Sequence, residues 1–400
     1  MNHRPFPAAT PVMWNSLPAR RDGEPLSPRP LVRGPSALAE ATWIRIGDAA
    51  PSPWAGPQAG PWAGSTRSVT DALSGGSRAE GAPMRVYLTF DTEIWCDGWH
   101  DLDLRFAGAF DRCILGRSSQ GEHGLPWTLQ TLQHHGLQGV FFVEPLFSAR
   151  VGERWLHQIV QMIDAAGQDV QLHLHPEWVA ELPPGTLPVA NAAVRRPYLR
   201  QFSLDDQTRL IDWGRKALER ALGRRVQAFR AGNFGVNRDT YVALERLGLG
   251  LDSSLNACQE GTDPALMNPT PHRSALRVGQ VFSVPVTVFR DGLGRQRPAH
   301  LTACSYQELH DALFAAHEAG CEHFVIVSHS FELLKPRRCE PDRRMLQRFT
   351  RLCALLDQHR QRFQVGRFHP APLPHGERQP VASRRATAQR VVEQALRRLG

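Results

Sequence analysis

The stretch Arg85-Val86-Tyr87-Leu88-Thr89-Phe90, followed at once by Asp91-Thr92-Glu93, decides how this chain is read. Its β-branched and aromatic side chains predict a buried strand. A polar cluster at the C-terminal end of such a strand is where parallel α/β proteins collect their chemistry. Comparable apolar runs recur at 139–143, 169–175, 226–230, 249–252, 281–289 and 323–328. Between several of them lie helix-period segments, at 124–136, 153–166, 205–222, 237–246, 305–319 and 342–360. Continuous apolar strands alternating with helices predict a parallel sheet covered on both faces. About seven such units within residues 84–365 favour an α/β chain folded as a distorted (β/α) barrel over an open doubly wound sheet. No Gly-rich phosphate-binding turn follows the first strand, which counts against nucleotide binding.

Outside this region the composition changes. Thirteen of the 31 prolines fall before residue 84, so 1–83 reads as a disordered Pro/Ala/Gly-rich extension, or as an over-long reading frame with the true start at Met84. Residues 366–400 are Pro- and Arg-rich and end in 386–399, whose Val391, Val392, Ala395 and Leu399 fit one short amphipathic helix with its arginines in solvent. The formal charge of +8 sits mostly in these two tails, and residues 84–365 carry only +1. That near-neutral centre, without interleaved basic and aromatic residues, excludes a nucleic-acid partner. Seven widely spread cysteines with no Cys-x-x-Cys pair predict reduced thiols. With no transmembrane run and no apolar leader, the expected location is cytoplasmic.

The predicted strands finish in an unusually polar set of residues. His173 and His175 are two apart, so the strand period puts both imidazoles on one face, within reach of one cation. Two imidazoles and a carboxylate suit zinc or a similar divalent ion with a position left open for water. Asp91 and Glu93 share a face by the same rule, which lets one bind metal while the other takes a proton. Arg230 ends an apolar strand and needs a carboxylate partner if buried, for which Asp91 is the natural candidate. His329 closes the last apolar run, and Asp252 is the expected partner to fix its tautomer for general-acid work. Glu144, Glu177 and Glu332 are further acids near strand ends. Trp178 is suited either to stacking on a sugar face or to packing.

These residues in this order resemble the polysaccharide deacetylase family, the NodB-homology carbohydrate esterases, and within it the WalW-like branch. The motifs that carry the likeness are Thr89-Phe90-Asp91, His173-Leu174-His175-Pro176, Phe229-Arg230-Ala231-Gly232, Leu251-Asp252-Ser253-Ser254 and Val327-Ser328-His329. The resemblance spans roughly 84–365 and neither tail. It implies a NodB-like barrel that hydrolyses an N-acetyl group on an amino sugar, acting on a surface-glycan or lipopolysaccharide precursor. By the same resemblance Asp91 is the general base, Arg230 tunes it, Asp252 orients the general acid His329, and Glu93, His173 and His175 hold a divalent metal, zinc by preference. Two departures concern the metal. Thr92 stands where the family has a second acid, leaving Glu93 to substitute, and the two histidines are separated by one residue rather than three.

Three other functions remain open at this level. A metal-free amidase of the same superfamily would survive a chelator. A glycoside hydrolase on a related barrel would pair Asp91 with Glu144 or Glu332. A glycan-binding protein with a decayed site would have lost at least one of the base, acid and orienting residues.

Overall fold

β1 (Met84–Thr92) alternates its side chains between two apolar environments, which is why nearly all of it is buried. Val86, Leu88 and Phe90 join the large core between sheet and helices, while Tyr87 joins a smaller inner cluster with Phe142, Phe282, Val325 and Phe368. The computed structural model describes residues 82–399 apart from 97–98, 100, 188, 191, 260, 264–265, 267–273, 336–339 and 370–378. The expectation for residues 1–83 falls almost wholly outside that range.

Among the described residues the main sheet also contains β2 (Val140–Val143), β3 (Asp169–Leu174), β4 (Ala228–Ala231), β5 (Leu251–Asp252), β6 (Leu276–Val278), β7 (Val281–Ser283), β8 (His323–His329) and β9 (Phe363–Val365). The strand order is β8-β1-β2-β3-β4-β5-β7-β6, with β9 beside the start of β1. All pairings are parallel except the short β6–β7 hairpin. The seven strands expected from sequence are present, arranged as a curled, barrel-like sheet. The run at 281–289 is divided, because Pro285 has no N–H to continue the ladder. Val281–Ser283 stays in the main sheet, whereas Val288–Arg290 pairs with Gln296–Pro298 in a separate hairpin. β9 was not foreseen. Its three residues are too few for a periodicity to show.

The sheet does not close through regular pairing. Residues 284–301 cross the seam by scattered bonds, Val284 and Val286 donating to the carbonyls of Asp252 and Leu255, and Leu301 donating to that of Val327. This crossing segment brings His300 beside the end of β8.

Four of the helices begin where a side chain satisfies one of the first free N–H groups. Ser203, Asn237, Ser305 and Asp342 cap Leu204–Leu222, Arg238–Arg246, Tyr306–Glu318 and Arg343–Gln358. No helix among the described residues is long and apolar enough to cross a membrane, and the six described cysteines stand as thiols.

The last helix, Arg384–Leu399, corrects the sequence-based picture of its charge. Arg390 is only 8% exposed. Its Nε lies 2.9 Å from Glu308 and its Nη2 3.1 Å from Asp291. Arg397 pairs with Asp342 at 2.8 Å, and Arg348 of the preceding helix pairs with Glu393. Backbone bonds between Arg290 and the residues at 380 and 382 tie the tail to the crossing segment. A single Arg-rich sequence cannot reveal this, because the acids that pair with it lie far away along the chain.

His323 opens β8 opposite Arg85. Its ring stacks on Tyr87 at 5.9 Å, and neither ring nitrogen has a hydrogen-bond partner. Burial, reinforced by the charge of Arg85, pushes its pKa down to about 4. The unfolded chain then takes up a proton between pH 6.5 and 4 that the folded one refuses, so this residue removes stability as pH falls through that window. Replacing it with Phe should recover roughly 3 kcal/mol at the acid end and leave stability near pH 8 little changed. Urea unfolding of both proteins at pH 8 and pH 4.5 checks this, and parallel losses in the two would contradict it.

Candidate active site

Asp91 and Glu93 both point into the site because they are two apart on extended chain, while Thr92 between them is buried and bonds back to the carbonyl of Phe90. Thr92, where the resemblance expects a second acid, therefore faces away, and Glu93 points into the site instead. His173 near the end of β3 and His175 just beyond it follow the same alternation, their rings 4.8 Å apart.

Three donors converge. Glu93 Oε2 lies 3.1 Å from His173 Nε2 and 2.6 Å from His175 Nε2. All three side chains are buried. The opposite ring nitrogens are already engaged. His173 Nδ1 is 2.8 Å from the carbonyl oxygen of Arg230, an acceptor only, so this nitrogen carries a proton. His175 Nδ1 is 3.3 Å from Glu177 Oε2. Glu177 is held in turn by Asn233 Nδ2 at 2.8 Å. Asn233 sits in left-handed backbone at φ 53°, a conformation Asn tolerates better than most residues.

This arrangement passes a chemical test for a cation. Histidine ligands to metals usually have their second N–H fixed by a carbonyl or a carboxylate, and both partners are present here. With Nδ1 protonated, neutral His173 aims a lone pair at the Glu93 oxygen, which is repulsive unless something positive lies between them. Protons can fill that role. Burial opposes the charge on His175, but Glu93 and then Glu177 outweigh it and raise its pKa well above the ordinary imidazole value. Burial likewise opposes the charge on Glu93, yet His175 and His173 hold its carboxyl well below the usual range. A divalent ion satisfies the same three groups through three lone pairs, without two charged imidazoles facing one carboxylate.

Beside this triad, Arg230 is fully buried and organises Asp91. Its Nη1 donates to Asp91 Oδ1 at 2.7 Å and to Thr89 Oγ1 at 2.9 Å. Nε and Nη2 donate to the Ser253 carbonyl and hydroxyl at 3.1 and 3.0 Å, and the guanidinium lies 4.3 Å over the Phe142 ring. Burial alone would raise the Asp91 pKa. Arg230 first, then His173 and His329, reverse that and keep it ionised.

His329 Nε2 faces both acids, 4.0 Å from Asp91 Oδ2 and 3.8 Å from Glu93 Oε1. With 23% of its side chain exposed, it is the most open of the group. Its Nδ1 lies 3.1 Å from Glu332 Oε1, but the ring N–H is off that line, so the contact is an ion pair rather than a straight hydrogen bond. Burial disfavours the imidazolium, but Glu332 more than compensates and brings the pKa to about 9. Glu332 is itself fixed by the His329 backbone N–H and the Ser328 hydroxyl, both at 3.1 Å.

Asp252 is not the partner of His329, contrary to the expectation from sequence. Its carboxylate accepts from Tyr241 at 2.8 Å, Ser283 at 2.7 Å and Ser254 at 2.5 Å. Ser254 Oγ also accepts the Ala231 N–H, and Ser253 holds Arg230, so Asp252 supports the arginine loop. The missed signal is local, since Glu332 follows His329 by three residues, one tight turn. Glu177 likewise follows His175 by two. Trp178 is 1% exposed and packs edge-on against Trp99 at 4.7 Å, so its role is packing. The half-buried Trp95 instead borders the site, donating to Glu93 Oε1 at 2.8 Å with its ring 4.7 Å from that of His175. Glu144 is wholly buried, where desolvation lifts its pKa to about 8 and the Leu146 and Phe147 amides bind it, so it cannot reach a ligand hydroxyl.

Gly232 has a steric reason to lack a side chain. A Cβ there would lie 2.6 Å from His175 Nδ1. Gly232→Ala should displace the imidazole and weaken any divalent-ion binding by the Glu93, His173 and His175 cluster roughly 10–100-fold, as loss of a supporting partner does. Zinc titration against a competing chelator measures the effect, and unchanged affinity would show that the ring position is not critical.

No protein-family profile matches the chain, and no curated protein does. Solved structures do. It is similar to a protein from Mycobacterium smegmatis assigned as a polysaccharide deacetylase, at 18% identity and TM-score 0.44 over 72% of this chain and 88% of that one. A family 4 carbohydrate esterase from Streptomyces lividans, in complex with acetate, is similar at 14% identity and TM-score 0.36 over 74% and 100%. A CE4 family pseudoenzyme from Bacillus anthracis is similar at 12% identity and TM-score 0.35 over 71% and 63%.

Proposed function

We propose that the chain is a hydrolase that removes an N-acetyl group from an amino sugar in a surface-glycan or lipopolysaccharide precursor, releasing acetate and a free amine. The observation that carries this is the convergence of Glu93, His173 and His175, with their outer nitrogens fixed, beside an ionised acid and an imidazolium. The amino sugar as substrate class rests on the motif resemblance.

Glu93, His173 and His175 would hold a divalent ion, zinc by donor type. Such an ion supplies Lewis acidity toward the acetyl carbonyl and acidifies water, which a carboxylate as weakly basic as Asp91 requires. Asp91 has Oδ1 occupied by Arg230, so Oδ2 is the oxygen that takes the proton from the attacking water. His329 presents a protonated Nε2 toward the same point and delivers that proton to the departing nitrogen, since an amide nitrogen does not leave as an anion. Glu332 keeps the imidazole charged and turned inward. Trp95 holds Glu93 through its N–H and packs its ring against His175.

The glycoside-hydrolase alternative loses both partners expected for Asp91, because Glu144 is buried against backbone amides and Glu332 is committed to His329. Two measurements test the proposal. After dialysis against zinc-free buffer, the wild-type chain should retain one zinc ion and His173→Ala none. Acetate, not reducing sugar, should appear from N-acetylated oligosaccharides, and a chelator should stop it. Turnover that survives chelation would favour the metal-free amidase.

A further inference from the structure

On the Nδ1 side of His329, away from the triad, a second set of ligand atoms is gathered. His300 Nε2 lies 3.4 Å from Glu332 Oε1, and His329 Nδ1 lies 3.1 Å from the same oxygen. The two rings are 5.6 Å apart, and one donor atom from each of the three residues falls within 4.8 Å of the others. From this geometry we propose that His300, His329 and Glu332 form a second divalent-cation site, weaker than the first, whose occupation stops turnover.

The donors are of the right kind. Two imidazoles and one carboxylate suit zinc, and the three side chains are partly exposed, at 19%, 23% and 13%. A supporting partner is also present. Thr302 Oγ1 is 3.0 Å from His300 Nδ1 and 3.2 Å from Glu332 Oε1. Nδ1 can accept from the Thr302 N–H at 3.4 Å or donate to Thr302 Oγ1, and cation binding selects the second tautomer, which leaves the Nε2 lone pair directed at the site. His329 Nδ1 has no straight hydrogen bond to surrender.

The effect on turnover follows from which nitrogen is used. An ion on Nδ1 occupies the position that Glu332 otherwise holds as an N–H, and the ring is no longer an imidazolium. The remaining Nε2–H is a far weaker acid, so the leaving nitrogen goes unprotonated. Cation binding here is independent of the deacetylase proposal; only the inhibition rests on it.

The test uses the tag-free full chain, stripped with chelator and titrated with zinc by equilibrium dialysis. Wild type should bind two ions per chain, the second with at least tenfold lower affinity, while His300→Ala binds one. His173→Ala should keep the weaker ion and lose the tighter. Two ions on His300→Ala, or none on His173→Ala, would overturn the second site. A chain whose single ion is lost in His300→Ala but kept in His173→Ala would support it and remove the first. Turnover should fall in wild type as the second equivalent is added and stay level in His300→Ala. A rise in wild type would overturn the inhibitory role.

Discussion

His329→Ala should lower kcat for N-acetyl hydrolysis by about 10²–10⁴-fold while KM changes only a few-fold, because the role proposed for the side chain is to protonate the leaving nitrogen rather than to bind substrate. Its pKa of about 9 means that the charged ring also contributes stability, fully present below pH 6.5 and lost as pH rises through 9, so the variant should unfold more easily near neutral pH while staying folded in the assay. Glu332→Gln keeps the shape and removes the charge that holds the imidazolium 3.1 Å away. It should reduce kcat less than His329→Ala does, again without a large KM effect. Asp252→Asn provides the contrast. Its carboxylate is spent on Tyr241, Ser254 and Ser283, so its main effect should be on stability. A kcat loss in Asp252→Asn as large as in Glu332→Gln would restore the pairing expected from sequence. Full activity in His329→Ala would remove the acid assignment altogether.

Arg230→Met should be the most destabilising single change in the site, at about 3–5 kcal/mol, the range for removing one partner of a buried ion pair. The reason is what stays behind. Asp91 would keep a buried carboxyl without its nearest cation, and Thr89 and both Ser253 acceptors would lose their donor. Arg230→Lys supplies a folded comparison, since it keeps a charge but cannot reach Asp91 and Ser253 together with a planar fork. Urea midpoints should therefore rank wild type above Lys above Met. A loss below about 1 kcal/mol in Arg230→Met would mean the pair barely offsets its own desolvation.

The fold was legible because its signals are short-range. Apolar strands, capped helices and polar strand ends can be read from neighbours along the chain. The face shared by Asp91 and Glu93, and that shared by His173 and His175, follow from strand period alone. What failed depends on register between distant segments, apart from the local turn that carries Glu332 to His329. Whether His329 meets Asp252 or Glu332 is set by a turn after β8 and by serine contacts around β5. His300 was invisible because its segment has neither helical nor strand period, and its position comes from crossing the barrel seam. The charge on Arg390 was misread for the same reason, since Asp291 and Glu308 are brought to it only by the folded chain.

β1 has a consequence for how the molecule is made. It is the first strand of the sheet, yet it pairs along most of its length with β8, Arg85 opposite His323 through Asp91 opposite His329. On a ribosome this central strand emerges with one apolar edge exposed and waits for more than two hundred further residues before its neighbour exists. Pairing over such a separation is slow, and an uncovered strand edge in a growing chain is a site for misassembly. Recombinant yield should therefore depend on chaperone supply more than the stability of the finished protein suggests.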